Sequence, residues 1–61
     1  MDKKQAIVKL LKENLDGLTV SEISKLLNFS RNTVAVYLAE LKGEDKLRIR
    51  EVGMAKLHYL K

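Results

Sequence analysis

The chain has 61 residues, enough for one small domain that buries only about 60% of the surface its unfolded form exposes. It holds no cysteine and a single histidine, His58, which excludes disulfide staples, thiolate metal sites and a zinc site built from histidines. Twelve Lys and Arg against eight Asp and Glu leave a net charge of +4, which favours an anionic partner and makes nucleic acid the first candidate. No apolar run is long enough to span a bilayer, and no apolar signal region follows the first five residues, so the expected location is cytoplasmic, away from membranes.

The first predicted element is a helix over residues 3–15. Ile7, Leu10, Leu11 and Leu15 recur at helical spacing, while Lys4, Lys9, Lys12 and Glu13 take other faces. Asp2 is its expected N-cap, and Asn14 and Gly17 bracket its exit, with Gly17 suited to a left-handed terminating residue. Leu18-Thr19-Val20 could add a short strand. A second helix then ends near Leu27, capped either by Ser21 or by Thr19 with Glu22 as a capping box. Ile23, Leu26 and Leu27 supply its apolar positions, and Asn28 tolerates the left-handed backbone of a sharp exit. Ser30 is the expected N-cap of a third helix. Val34, Leu38 and Leu41 make its apolar stripe, Tyr37 lies beside it, and Gly43 is the expected stop.

After Gly43 the period changes. Lys46-Leu47-Arg48-Ile49-Arg50-Glu51 alternates strictly, which predicts a half-buried strand. Val52-Gly53-Met54 supplies a turn, and residues 55–60 return as a second strand of a hairpin. A two-stranded hairpin is not stable alone, so Leu47, Ile49, Leu57 and Tyr59 are expected against the helices. No repeat, linker or low-complexity segment divides the chain, so residues 1–61 are expected to be a single domain.

The stretch TVSEISKLLNFSRNTVAVYLAELK is a short helix, a tight turn and a longer helix, with small Ser24 where two steeply crossed helices would approach. It resembles a helix-turn-helix. With one helix before it and a Gly-turned hairpin after it, the chain over roughly residues 3–60 resembles the winged helix-turn-helix domain of prokaryotic transcription regulators. The implied fold is mainly α with a small antiparallel β-sheet: three helices and a C-terminal hairpin wing.

The resemblance implies double-stranded DNA as partner, with the third helix in the major groove and its N-terminal residues at base edges. Those residues are Ser30, Arg31, Asn32 and Thr33, then Val36 and Tyr37. Arg31 can fork onto guanine O6 and N7, Asn32 can pair with adenine, and Val36 can touch a thymine methyl. An arginine at a helix start opposes the helix dipole, which argues for a role beyond the fold. Ser21, Thr33, Tyr37 and Lys42 would hold phosphates, and Arg48 and Arg50 would clamp from the wing, with Lys56 joining them across the hairpin. A domain of this size covers little DNA, so useful affinity calls for a homodimer or further domains of a longer parent chain.

Other features point elsewhere. Ala35, Val36 and Ala39 give the third helix an apolar outer face, with Glu40, Glu44 and Asp45 near its end. Together with Met54 that face supports a second reading, a winged helix that docks a protein. Single-stranded nucleic acid is disfavoured, because Phe29 and Tyr59 are expected in the core and leave no stacking platform. Nothing suggests an enzyme: His58 has no nucleophile or carboxylate at a spacing that makes a relay, and no Gly-rich phosphate loop is present. No cofactor and no small-molecule ligand is inferred.

Overall fold

A computed structural model describes residues 2–61; Met1, within the domain expected over 1–61, lies outside them. Three helices, α1 (Lys3–Glu13), α2 (Val20–Leu27) and α3 (Arg31–Gly43), precede two strands, β1 (Leu47–Val52) and β2 (Ala55–Leu60). This is the winged helix-turn-helix arrangement that the sequence resembles. No helix among the described residues is long and apolar enough to cross a membrane.

The helix starts follow from their caps. Asp2 accepts from the Gln5 amide at 2.7 Å, and Ser30 accepts from Thr33 at 3.1 Å. For α2 the capping box wins over Ser21: Thr19 accepts from Glu22 N at 3.2 Å, and the Glu22 carboxylate accepts from Thr19 N at 2.9 Å. Such caps satisfy amides that have no partner inside the helix. Asn28 leaves α2 with φ at 56°, in the left-handed region where asparagine is among the few tolerated residues. Ser24 donates its hydroxyl to the Phe29 carbonyl, stitching the turn together.

One exit differs from expectation. α1 stops at Glu13, because Asn14 folds back to donate from Nδ2 to the Leu10 carbonyl and from its backbone to Leu11. Leu15 therefore leaves the apolar stripe and stands 83% exposed. Gly17 does adopt a positive φ, 88°, but in the loop beyond the helix. α3 stops at Gly43 as expected, without a left-handed backbone there; Asp45, at φ 60°, makes the reversal.

The core draws on the three helices, the loop before α2 and β1. Ile7 and Leu11 of α1, Ile23 of α2, Val34, Leu38 and Leu41 of α3, Leu18 of the loop and Leu47 of β1 are all buried together. Phe29, Tyr37 and Leu60 pack against them partly covered. Lys3 also sits over the Phe29 ring at 5.5 Å, closing the gap between α1 and the α2–α3 turn.

The hairpin turns on Gly53 and Met54, with Val52 opposite Ala55 and Leu47 opposite Leu60. Positive φ only at Gly53 matches a type II′ turn, whose twist suits two adjoining strands. Leu18-Thr19-Val20 forms no strand: Leu18 makes a single bridge to His58, and Val20 already opens α2. Facing residues in an antiparallel pair point the same way. Leu47, Ile49, His58 and Leu60 therefore share the helix-facing side, and Arg48, Arg50, Leu57 and Tyr59 share the other. The expectation that Leu57 and Tyr59 join the core fails on this parity, and His58 takes the buried place at 5% exposure. Ile49, further toward the tip, is 40% exposed because the hairpin outruns the helices there.

Tyr59 instead covers the loop. A Cβ built on Gly17 would lie 2.7 Å from the Tyr59 ring, too close for any residue but glycine. Gly17→Ala is therefore expected to destabilise the fold by more than about 1 kcal/mol, since both the positive φ and the overlap oppose it. Part of that loss should return in Gly17→Ala/Tyr59→Ala, measured by urea denaturation. Ile23→Ala, at a fully buried position, should cost about 2–5 kcal/mol in the same measurement.

Candidate nucleic-acid interface

α3 is half core and half surface by its own periodicity. Val34, Leu38 and Leu41 are buried, which leaves Arg31, Asn32, Ala35, Val36 and Ala39 exposed. The Ser30 cap fixes the first turn, and the Ser30 hydroxyl also bonds the Thr33 hydroxyl at 2.8 Å. Arg31 and Asn32 stand in that turn with no side-chain bond to any described residue. Asn32, Thr33, Val36 and Tyr37 line one shallow depression on the helix. Val36 is 57% exposed and Tyr37 is half-buried, with its ring against the core. The sequence-derived group at the start of α3 thus shares one accessible face.

Ser21 and Lys56 form a second group. Ser21 is the second residue of α2, where backbone amides lack helical partners. With Thr19, Val20, Met54, Ala55, Lys56 and His58 it lines a cleft between the helix start and the hairpin. Lys56 lies opposite Glu51 and on the other side of the hairpin from Arg48 and Arg50, so it does not join them. It accompanies Ser21 instead.

The remaining cations lie apart. Lys42 is in the last turn of α3, about 16 Å along the axis from Arg31 at 1.5 Å per residue. Arg48 lies opposite Tyr59 and Arg50 opposite Leu57 on the outer side of the hairpin, and with Tyr59, Leu15 and Leu60 the two arginines line another open depression. An aromatic side chain sharing a depression with two arginines is a surface that the expected core position of Tyr59 does not include.

The acids near the end of α3 are drawn away from its exposed face. Glu44 meets the Lys4 ammonium at 2.7 Å and Glu40 meets it at 3.5 Å, while Asp45 pairs with Lys61. Their negative charge is gathered toward Lys4 of α1 and Lys61. The Lys4 hydrogen bond holds the Glu44 carboxyl below its ordinary range, and the same bond holds the Lys4 ammonium above its own.

Two of these features escaped the sequence. His58 lines the Ser21–Lys56 cleft, and Lys4 ties the two ends of the helical layer. A two-residue loop at Gly53-Met54 would have set the hairpin register and put His58 beside Ile49; the Lys4 contact spans 40 residues and leaves no local signal.

Residues 1–48 match the model of a family described as a homeodomain-like domain. No curated protein matches the chain. The family match covers all three helices and ends at the second residue of β1, so most of the hairpin lies beyond it.

The Lys4–Glu44 pair carries a prediction about pH. A lowered carboxyl pKa adds stability that is complete above the ordinary carboxylate range and is lost as pH falls through the folded-state value. The raised Lys4 value adds stability that is lost only as pH rises through the folded lysine value. Lys4→Met should therefore flatten both limbs slightly, by the small amount typical of an exposed pair, in denaturation curves taken across pH.

Proposed function

The chain belongs to the homeodomain-like domain family, a helix-turn-helix family whose partner is DNA, and from that premise we propose that it regulates transcription, alone or as the DNA-binding module of a longer chain. In this reading the first turn of α3 enters the major groove. Arg31 reads guanine and Asn32 adenine, Val36 meets a thymine methyl, and Ser30 holds the turn in shape. Thr33, Tyr37 and Lys42 take phosphates along the helix. Ser21 and Lys56 take one beside the start of α2, and Arg48 and Arg50 serve a flanking stretch of backbone from the outer side of the wing. A second copy or further domains would supply the rest of the contact area.

The observation that carries the reading is the unpaired, exposed Arg31–Asn32 step at the capped start of α3. Neither side chain is used by the fold, and an arginine there works against the dipole. The pairing of Glu40 and Glu44 with Lys4 supports it further, because the acids nearest α3 are partly neutralised.

The exposed Ala35, Val36 and Ala39 with fully exposed Met54 favour one other reading, a winged helix that docks a protein. The two readings part on salt. Duplex binding should weaken by about 0.9 log units per log of salt for each phosphate neutralised. In fluorescence anisotropy, Lys56→Ala should lower that slope by about 0.9 and leave base preference unchanged, whereas Arg31→Ala should cost about 1–3 kcal/mol and relax preference at one position. A chain that binds no duplex at low salt, but loses a protein partner on Val36→Asp, would be the docking module.

A further inference from the structure

β1 has a strand beside it on one edge only. Lys61 N donates to the Lys46 carbonyl at 3.0 Å, which fixes the alternation of the antiparallel ladder. Arg48, Arg50 and Val52 then exchange bonds with Tyr59, Leu57 and Ala55, while Leu47, Ile49 and Glu51 turn their amides and carbonyls outward. β2 obeys the same parity: the outward groups of His58, across from Ile49, are the ones that meet Leu18. No backbone partner meets the outward groups of Ile49 or Glu51 among the described residues. Every residue of β1 after Leu47 is exposed, so this edge lies open.

The side chains along the edge carry one sign of charge. Arg48 and Arg50 project on the outer side of the hairpin, beside neutral Leu57 and Tyr59. Neither guanidinium pairs with an acid among the described residues. Glu51 is on the other side of the strand, opposite Lys56, and Asp45 pairs with Lys61. Asp16, next to the Gly17 that Tyr59 covers, is exposed. Between the arginines, on the opposite side, stands the partly exposed Ile49.

We propose that this edge receives an extended acidic segment of a partner protein as a third, antiparallel strand. Residues across from Arg48 and Arg50 project on the arginines' side, with Cβ atoms about 4.5–5.5 Å away. Carboxylates at two alternate positions supply the missing counter-charge, and an apolar residue between them covers Ile49. Backbone bonds to Ile49 and Glu51 hold the strand, and the ion pairs select its sequence. A second β1 laid there antiparallel would bring Lys46, Arg48, Arg50 or Val52 to that side, none of them acidic. The chain's own strand thus lacks the charge that an acidic segment brings. The inference does not need the DNA reading; where the wing serves a duplex, segment and phosphates compete for the same two guanidinium groups.

The test uses the whole, isotope-labelled chain and a capped peptide of three Glu-Val repeats, matched in length to β1. With peptide bound, the Ile49 and Glu51 amides should shift and exchange with solvent about tenfold more slowly or less. The Arg48 and Arg50 amides, already bonded to β2, should keep their exchange rates. Methylating the valine nitrogens, which face β1, should abolish binding; methylating the glutamate nitrogens, which face away, should leave it. The double variant Arg48→Glu/Arg50→Glu should lose the peptide by about tenfold or more and bind a Lys-Val peptide instead, a gain that an unfolded variant could not show. Equal binding of the Glu-Val and Lys-Val peptides by the native chain would overturn the proposal, and so would no binding of the Glu-Val peptide. Shifts at the arginines without slowed exchange at Ile49 and Glu51 would overturn it as well, since they mark a loose charge contact. No duplex enters these measurements, so the DNA reading stands or falls separately.

Discussion

Beside the packing of Leu47 and Leu60 on the core, the hairpin is joined by its backbone to the helical part where Leu18 meets His58. Two backbone hydrogen bonds, at 3.2 and 2.8 Å, join the residues, and the ring adds a third to the same carbonyl. A chain of this size has neither a large core nor a disulfide to fix a two-stranded sheet, and such a hairpin does not persist alone. The consequences spread from that junction. Leu18 and Leu47 enter the core, Gly17 must be bare under the Tyr59 ring, and His58 must be buried although it is polar. At the other end Lys61 bonds the Lys46 carbonyl and the Asp45 side chain, so the last residue of the chain closes the start of β1.

With the hairpin secured behind it, α3 can spend little of its surface on the fold. Three buried residues, spaced four and three apart, are sufficient to anchor thirteen. The chain's acids and bases are sorted accordingly. Glu40 and Glu44 are gathered by Lys4, and the first turn of α3 keeps an uncompensated arginine. The same separation explains why an apolar stretch of Ala35, Val36 and Ala39 can lie in the open: a groove with methyl groups and a protein surface would both accept it.

The helices were legible because their signals are local. Thr19 with Glu22, Ser30 with Thr33, and Asn28 at the left-handed exit each act within three or four residues. Leu15 misled because its spacing from Leu11 continues the stripe, while Asn14 ends the helix one residue earlier by bonding backward. The hairpin was legible as a hairpin but not in its sides. On hydrophobicity alone leucine is the more usual inward residue of the Leu57–His58 step; cross-strand pairing reverses the two. That one-residue difference also moved Lys56 away from Arg48 and Arg50, and so changed which candidates share a surface. The start of α3 is legible as a group, since it lies on one continuous helix.

The sheet has an order of only β1 then β2, so β1 keeps a margin with no neighbouring strand. An open margin of this kind is a template on which another chain can lay its own strand, the first step toward a fibril. Here the six residues carry Arg48, Arg50 and Glu51, and the two arginines project from the same side. A second copy laid alongside in the same direction and in register would bring guanidinium groups against guanidinium groups, and that stack would be opposed by its own charge. Arg48 and Arg50 thus work against that one strand-on-strand stacking and leave other ways for two copies to meet open.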